Sequence, residues 1–419
     1  MHITIAALGT RGDVQPILAL GKGLQAAGHH VHIIAGSNFE SWVRGFGFDF
    51  SPSLDMEAVM RSADGIAWAE SSQNPFKQLG IMRRMLDDHG EQMVEPIVQS
   101  AASTDLLLSG FVSQPFVQSV SEKTGVRHIT IALQPFRATR SGAAAMQPVL
   151  PKRDSLLNYG MGLFGEWLIW GVSRDTVNRL RSGQLNLPPH NYTSFRSAAR
   201  PIPVIYGISR HVMPRAADWG VSVYQTGYWF LDEAQDWQPP DALRQFLESG
   251  SIPVYVGFGS MSSSDPATTV QTISEALSRS GQRGIIASGW SGADMTNLPA
   301  HVYLLDKAPH NWLFEQVAAV VHHGGAGTTA AGLRAGRPTM IVPHMSDQPY
   351  WGRRVQELGA GVKPVLRHKL NVDNLAAGIH ELVTNTSITA AARHIGEQIR
   401  AEIGIQEAVA IIEKLANSH

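Results

Sequence analysis

The stretch from Val317 to Gln348 constrains the fold of this chain more than any other. It opens with an apolar, largely β-branched run, Val317 to Val321, of strand length. His322 and His323 follow, then Gly324, Gly325, Ala326, Gly327 and Thr328, which lead into a small-residue segment with helical character. Gly336 and Pro338 end that helix, because glycine suits the residue after a helix and proline cannot continue one. A second apolar strand, Thr339 to Val342, runs into Pro343. A strand, glycine turn, helix and strand in this order places a helix N-terminus at the carboxyl edge of a parallel sheet. The free N–H groups there favour an anion such as phosphate. Glycines let the backbone approach that anion, and Thr328 adds a hydroxyl donor. A plain tight turn would use the same glycines, so spacing alone leaves both readings open.

The rest of the chain repeats the pattern. Ile3 to Leu8 reads as a strand that empties into Gly9-Thr10-Arg11-Gly12-Asp13, followed by a helix from Val14 to Ala27 and a strand from Val31 to Ala35. This βαβ unit calls for a parallel, doubly wound sheet. Gly9 and Gly12 lack the G-x-G-x-x-G spacing, which disfavours a nicotinamide oxidoreductase. Further strands are expected at Leu106 to Ser109, Arg127 to Ala132 and Val204 to Ile208, and helices over much of residues 51 to 100. In the second half the expected strands are Ile252 to Phe258, Gly284 to Ala287 and Val302 to Leu305, with helices over residues 373 to 418. A chain of 419 residues fits two domains of about 200 each. The predicted fold is α/β with two Rossmann-like domains: residues 1–215, a linker at 216–240, and residues 241–400.

Composition narrows the function. A net charge of -1 disfavours a nucleic-acid binder, and the absence of cysteine excludes disulfides and thiolate-held metals. The opening MHITIAALGT reads as a buried strand without a basic leader, and no apolar run reaches about 18 residues, so a cytoplasmic compartment is expected. The His322-His323 pair does not predict a zinc site, because neighbouring residues on a strand point to opposite faces and no third ligand has metal spacing.

His323-Gly324-Gly325-Ala326-Gly327-Thr328, with the later Asp347-Gln348, resembles the donor-binding signature of the UDP-glycosyltransferases. The His-His-Gly-Gly-Ala-Gly-Thr-Thr form is similar to their microbial branch, especially sterol glucosyltransferases and antibiotic glycosyltransferases. The resemblance implies the GT-B fold, two Rossmann-like domains facing a cleft, with the last helix, about residues 401–419, returning to the first domain. It implies an inverting, metal-independent transfer of a hexose, glucose from UDP-glucose foremost, to a hydroxyl of an apolar acceptor such as a sterol, terpenoid or polyketide. The nucleotide sugar is a co-substrate, and no cofactor or metal is implied. An apolar acceptor also admits transient contact with a membrane surface to collect it. A nucleotide-sugar epimerase of the same fold, or a non-catalytic lipid- or nucleotide-sugar-binding protein, are the rivals.

Residue by residue, Gly-Thr-Arg-Gly-Asp-Val-Gln-Pro at 9 to 16 resembles the form in which the Asp, here Asp13, is the general base. The alternative makes Asp13 the N-cap of a helix starting at Val14. The resemblance assigns the diphosphate to His323, Gly325, Gly327 and Thr328, with Gly259 and Ser260 of a Phe-Gly-Ser element beside it. It assigns sugar hydroxyls to Asp347 and Gln348. At the nucleoside end the family's Trp is replaced by Lys307, leaving Pro309-His310; His310 is carried as donor-binding, and Trp290 or backbone near Ala308 could replace the stack. The strongly apolar segment Leu156 to Leu180, with Trp167 and Trp170 three apart, is expected either to be a core helix or to wall the acceptor site.

Overall fold

Runs such as Leu106-Leu107-Leu108 and Val254-Tyr255-Val256 are apolar on both faces of a strand, which only a sheet covered on both sides can use. The computed structural model describes residues 1–71, 74–146, 151–232, 237–258, 266–287 and 298–417, and it contains two such sheets. The first unit, Met1–Leu231 together with the chain from Glu402 onward, holds β1 (His2–Ala6), β2 (His30–Gly36), β3 (Asp49–Ser53), β4 (Leu106–Ser109), β5 (Arg127–Ala132), β6 (Val204–Tyr206) and β7 (Val223–Gln225). Their order is β3-β2-β1-β4-β5-β6-β7, all parallel. The second unit, Asp232–Ala401, holds β8 (Val254–Gly257), β9 (Gly284–Ala287), β10 (Val302–Leu305), β11 (Val320–His322) and β12 (Thr339–Ile341), in the order β10-β9-β8-β11-β12, also parallel.

In each sheet the strand order reverses once, between β1 and β4 and between β8 and β11. At such a reversal the loops leaving the carboxyl ends diverge and open a crevice, which is where α/β sheets bind ligands. Side chains alternate between two cores. In the first unit Ile3, Ile5 and Ile33 pack with Leu18 and Leu24 of the Arg11–Ala26 helix, while Ala6, Ile34 and Leu107 face Val94, Ile97, Phe116 and Trp170. In the second, Val256, Ile286 and Val321 pack with Ile273, Leu375 and Ile379, while Tyr255, Ile285 and Val320 face Leu243 and Phe314.

Two expectations need correction. The stretch expected to be helical from residue 51 begins instead with β3, which has Pro52 within it. β3 is an edge strand, where proline's missing N–H leaves no ladder bond unmade. The linker expected at 216–240 contains β7, so the first unit runs past residue 215 to Leu231.

The Gly404–Asn417 helix belongs to the first unit, where Ala408, Val409 and Ile412 join the core beside the Arg11–Ala26 helix. His29 Nε2 meets Glu413 at 3.0 Å, and the Glu402 carboxylate accepts bonds from Ser209 Oγ at 2.9 Å and Arg210 N at 3.2 Å. Gly23 permits the approach, since a Cβ there would collide with Ile405 Cγ2. Gly23→Val is therefore expected to destabilise the protein by about 1–3 kcal/mol through overpacking. Gly80→Ala, in a helix position where an added Cβ meets nothing within 4 Å, should be neutral or stabilising by up to about 1 kcal/mol. Chemical denaturation of the two variants against the parent checks the pair.

Candidate functional site

At the first reversal the chain leaves β1 and enters the Arg11–Ala26 helix, with Thr10 as its N-cap. The helix thus begins three residues earlier than Val14, and Asp13 lies inside its first turn rather than capping it. Asp13 Oδ2 accepts from the Thr10 N–H at 2.9 Å and from the Thr10 hydroxyl at 3.2 Å. The carboxylate lines a small cavity with Leu8 and Ile17, with Phe111 and Val112 after β4, and with Leu133 and Gln134 after β5. Burial pushes the Asp13 pKa up, and the two bonds from Thr10 oppose that in part. One oxygen is anchored, and the carboxylate lines a largely apolar crevice. Such a carboxylate holds its geometry yet retains a lone pair for an incoming hydroxyl proton.

Phe111, Leu133 and Gln134 were not singled out in the sequence. Their signal was positional, because each lies within two residues of the carboxyl end of a central strand.

At the second reversal β11 gives way to His323, Gly324 and Gly325, and the Ala326–Arg334 helix starts with Gly325 as N-cap. Gly324 has φ +95°, and a Cβ there would come within 2.6 Å of Ile341 Cγ2, so the turn demands glycine. The first intrahelical bond runs from Thr329 N to Gly325 O at 2.9 Å, which leaves the N–H groups of Ala326, Gly327 and Thr328 for an external acceptor. An added Cβ at Gly327 would meet nothing within 4 Å, so the loop is open there. His322 is fully buried, and its Nδ1 accepts from Gly324 N at 3.0 Å, which makes it a brace for the turn.

His323 stands beside this loop, its ring 6.5 Å from that of His344, which lies 5.6 Å from Phe258. Burial lowers the His323 pKa to about 4, opposed in part by the Gly257 backbone, and burial lowers that of His344 to about 3. Both rings are neutral at physiological pH. A neutral imidazole has a single N–H donor and brings no full charge into the site.

His310 opens a short helix after β10 and stacks on Phe314, centroids 4.5 Å apart at 14°. Asp347 Oδ2 accepts from Trp351 Nε1 at 2.6 Å, and Gln348 Oε1 accepts from the N–H groups of His344 at 2.7 Å and Met345 at 3.1 Å. These two side chains therefore also build the turn after β12, and only what those bonds leave over can face a sugar. Gly259, Ser260 and Trp290 lie outside the described residues.

Of the two expected readings of the Leu156 to Leu180 segment, core helix or acceptor wall, Trp170 takes the core one. Trp170 is 3% exposed, stacks on Phe195 at 4.4 Å and belongs to the core. Trp167 is 51% exposed and stacks on Phe164 at 5.8 Å. In the Leu156–Arg179 helix the two face different surroundings, and neither lines the cavity at Asp13.

Two family models match the chain: the N-terminal domain of glycosyltransferase family 28 at residues 3–94, and the C-terminal domain of erythromycin biosynthesis protein CIII-like proteins at residues 282–415. The chain is 35% identical over 419 residues to a sterol 3-beta-glucosyltransferase of Arabidopsis thaliana, covering 98% of this chain and 67% of that protein. It belongs to this glycosyltransferase family. A sterol 3-beta-glucosyltransferase of Pichia angusta is 34% identical over 426 residues, covering 98% of this chain and 33% of its own length. The chain thus spans about two thirds of the plant relative and one third of the fungal one. Among solved structures, the glycotransferase of kitacinnamycin superposes with a TM-score of 0.73 at 18% identity, over 99% of this chain and 98% of that one. The glycosyltransferase VinC, solved with DTDP, superposes with a TM-score of 0.66 at 19% identity over 99% of both chains. The glycosyltransferase has the two-sheet α/β GT-B architecture of these neighbours.

Its buried neutral histidines carry a cost in acid. For a histidine whose folded pKa is lowered, the unfolded chain takes up protons first, so stability is complete above about pH 6.5 and falls as pH drops toward the folded values of about 4 and 3. The melting temperature should therefore decline from pH 6.5 to pH 4.5. His344→Phe, which removes one such group and its unpartnered buried Nε2, should flatten the decline. Calorimetry of parent and variant across that range checks it; parallel curves would contradict the assignment.

Proposed function

We propose that the glycosyltransferase moves glucose from UDP-glucose to the 3-hydroxyl of a sterol with inversion, and that Asp13 is the base. The observation that carries this reading is the Asp13 carboxylate itself, pinned at Oδ2 by Thr10 and lining a cavity with Phe111, Leu133 and Ile17. The names of the plant and fungal relatives support the sterol and the glucose. The DTDP bound to one structural neighbour supports a nucleoside diphosphate as the leaving group.

In the proposed reaction Asp13 Oδ1 accepts the proton of the sterol hydroxyl as its oxygen attacks the anomeric carbon. The bond from that carbon to the diphosphate oxygen breaks on the opposite face, so the α-linked donor gives a β-glucoside and UDP leaves with the electron pair. Charge grows on the diphosphate as the bond lengthens. In this reading the N–H groups of Ala326, Gly327 and Thr328 and the neutral ring of His323 meet it, and they act most where that charge is greatest. Asp347 and Gln348 hold the turn beside the sugar. Metal independence is part of the proposal, because the helix N-terminus takes the part that a divalent ion bound by Asp-x-Asp plays elsewhere. The sequence has no Asp-x-Asp.

Asp13→Asn should lower kcat by about 10²–10⁴ while UDP affinity by calorimetry stays within a few-fold of the parent. More than about half the parental rate at saturating sterol would remove Asp13 from the base role. His323→Ala should weaken UDP binding and slow turnover together, whereas parental UDP-glucose affinity should not change between pH 6 and pH 9, since the ring stays neutral throughout. Turnover should persist in excess EDTA; loss that Mg²⁺ or Mn²⁺ restores would refute the metal-free cradle.

A further inference from the structure

The Leu156–Arg179 helix and the Pro75–Ser100 helix both run from the carboxyl edge of the first sheet toward its amino edge. Each follows one strand and leads into the start of another. The ion pairs Arg83–Asp175 and Arg179–Asp87 match them in the same direction. Counting back seven residues from Arg83 and from Asp175 sets Phe76 level with Leu168, since both helices rise equally per residue. The large apolar core contacts of the Leu156–Arg179 helix begin only at Trp170. Its first turns therefore lie at the sheet edge that carries Asp13, where Asn158 and Glu166 tie one face to the 138–153 segment and to Arg196 while the apolar side chains of the other face stay outside the core.

These turns are apolar where they meet solvent. Leu156 is 70% exposed, Leu157 57%, Phe164 45% and Trp167 51%, and Phe76 beside them is 78% exposed. From Leu156 to Ser173 the one charged residue is Glu166, and its carboxylate is turned inward to Ala138 N at 3.0 Å and Arg196 Nε at 3.1 Å. Exposed cations flank the patch: Lys77 follows Phe76, and Lys152 and Arg153 precede Leu156. The nearby acid Asp154 accepts from Gly142 N, and Asp64 pairs with Arg84. A cluster of large exposed apolar side chains marks an interaction site. Aromatic and leucine side chains fringed by lysine and arginine are the chemistry of an element that lies in a bilayer interface. No described helix is long and apolar enough to cross a membrane.

We propose that this face, Phe76 with Leu156, Leu157, Phe164 and Trp167, docks the first unit on the surface of an anionic lipid bilayer, so that sterol passes from lipid to Asp13 without entering water. The bilayer is favoured over a second copy of the chain because of the cationic fringe, which would oppose its own symmetry mate. The substrate side of this inference rests on the sterol reading above.

The test separates the two. A variant carrying Phe76→Ser, Leu157→Ser and Phe164→Ser alters exposed positions only, and an unchanged melting temperature certifies its fold. Co-sedimentation with sterol-free phosphatidylcholine vesicles containing phosphatidylserine reads the surface alone, and turnover of cholesterol carried by cyclodextrin reads the proposed reaction alone. The parent should sediment with these vesicles. The variant's partitioning should fall by about tenfold or more. Its turnover of cyclodextrin-borne cholesterol should match the parent's, while turnover of vesicle-borne cholesterol collapses. Lys77→Gln with Lys152→Gln and Arg153→Gln should weaken binding to phosphatidylserine-containing vesicles and leave pure phosphatidylcholine unaffected. Equal sedimentation of parent and variant overturns the proposal, as does a parent that stays in the supernatant. So does an equal loss of turnover with both forms of cholesterol, which would make the face part of the acceptor site. A parent that is dimeric by light scattering, dissociated by the triple variant and indifferent to vesicles, overturns it in favour of self-association. A parent that binds vesicles through this face but glucosylates no sterol leaves the docking surface standing and removes the sterol reading.

Discussion

The candidate site in each unit depends on one constraint, the reversal of strand order at the centre of its parallel sheet. Between β1 and β4, and between β8 and β11, consecutive loops leave the carboxyl ends in opposite directions, and the crevice between them cannot be closed by the sheet's own connections. The chain places a turn and a helix N-terminus at each crevice. At the first, Thr10 caps a helix whose Asp13 turns back to it. At the second, glycines bring a helix start to the crevice with its N–H groups unspent. One crevice is therefore suited to take a proton and the other to hold an anion.

The electrostatics of the two crevices follow from burial. At Asp13, burial raises the pKa, and the bonds from Thr10 keep that rise in check, which suits a base that must be ionised yet basic. In the second unit burial works on bases instead. His322, His323 and His344 all have lowered pKa values, and His322 and His344 each have a buried Nε2 without a partner among the described residues. Buried polar atoms of this kind cost stability. Under the proposed reaction, neutral rings would keep full positive charge away from the departing nucleotide, so that release of product would not be opposed by a permanent ion pair.

Much of this was legible in the sequence for physical reasons. A strand buried on both faces must be apolar throughout, so Leu106–Ser109, Arg127–Ala132, Gly284–Ala287 and Val302–Leu305 could be bounded from composition alone. Gly324 and Gly336, both at positive φ, punctuate the second site because L side chains rarely adopt that backbone, and Pro338 cannot continue a helix. β3 was hidden because an edge strand containing Pro52 lacks the apolar run of a central one. Trp170 misled because spacing on a helix says which residues share a face but not where the neighbouring core ends. Three residues separate Trp167 from Trp170, and the core boundary falls between them. Phe111 and Leu133 carry no pattern of their own; only the topology brings the ends of β4 and β5 beside Asp13.

The central claim is that the carboxylate held by Thr10 takes the proton of the acceptor. The pH dependence of kcat/KM for the acceptor at saturating donor, measured for the parent and for Thr10→Val, tests it most directly. Activity requires ionised Asp13, so the parental profile should lose rate as pH falls through a value above the ordinary carboxylate pKa of about 3.9. Thr10→Val removes the hydroxyl bond at 3.2 Å that favours the charged form, so its acid limb should move to higher pH while the rate at alkaline pH is retained. An acid limb that stays in place in Thr10→Val, or one that persists unchanged in Asp13→Asn, would contradict the account.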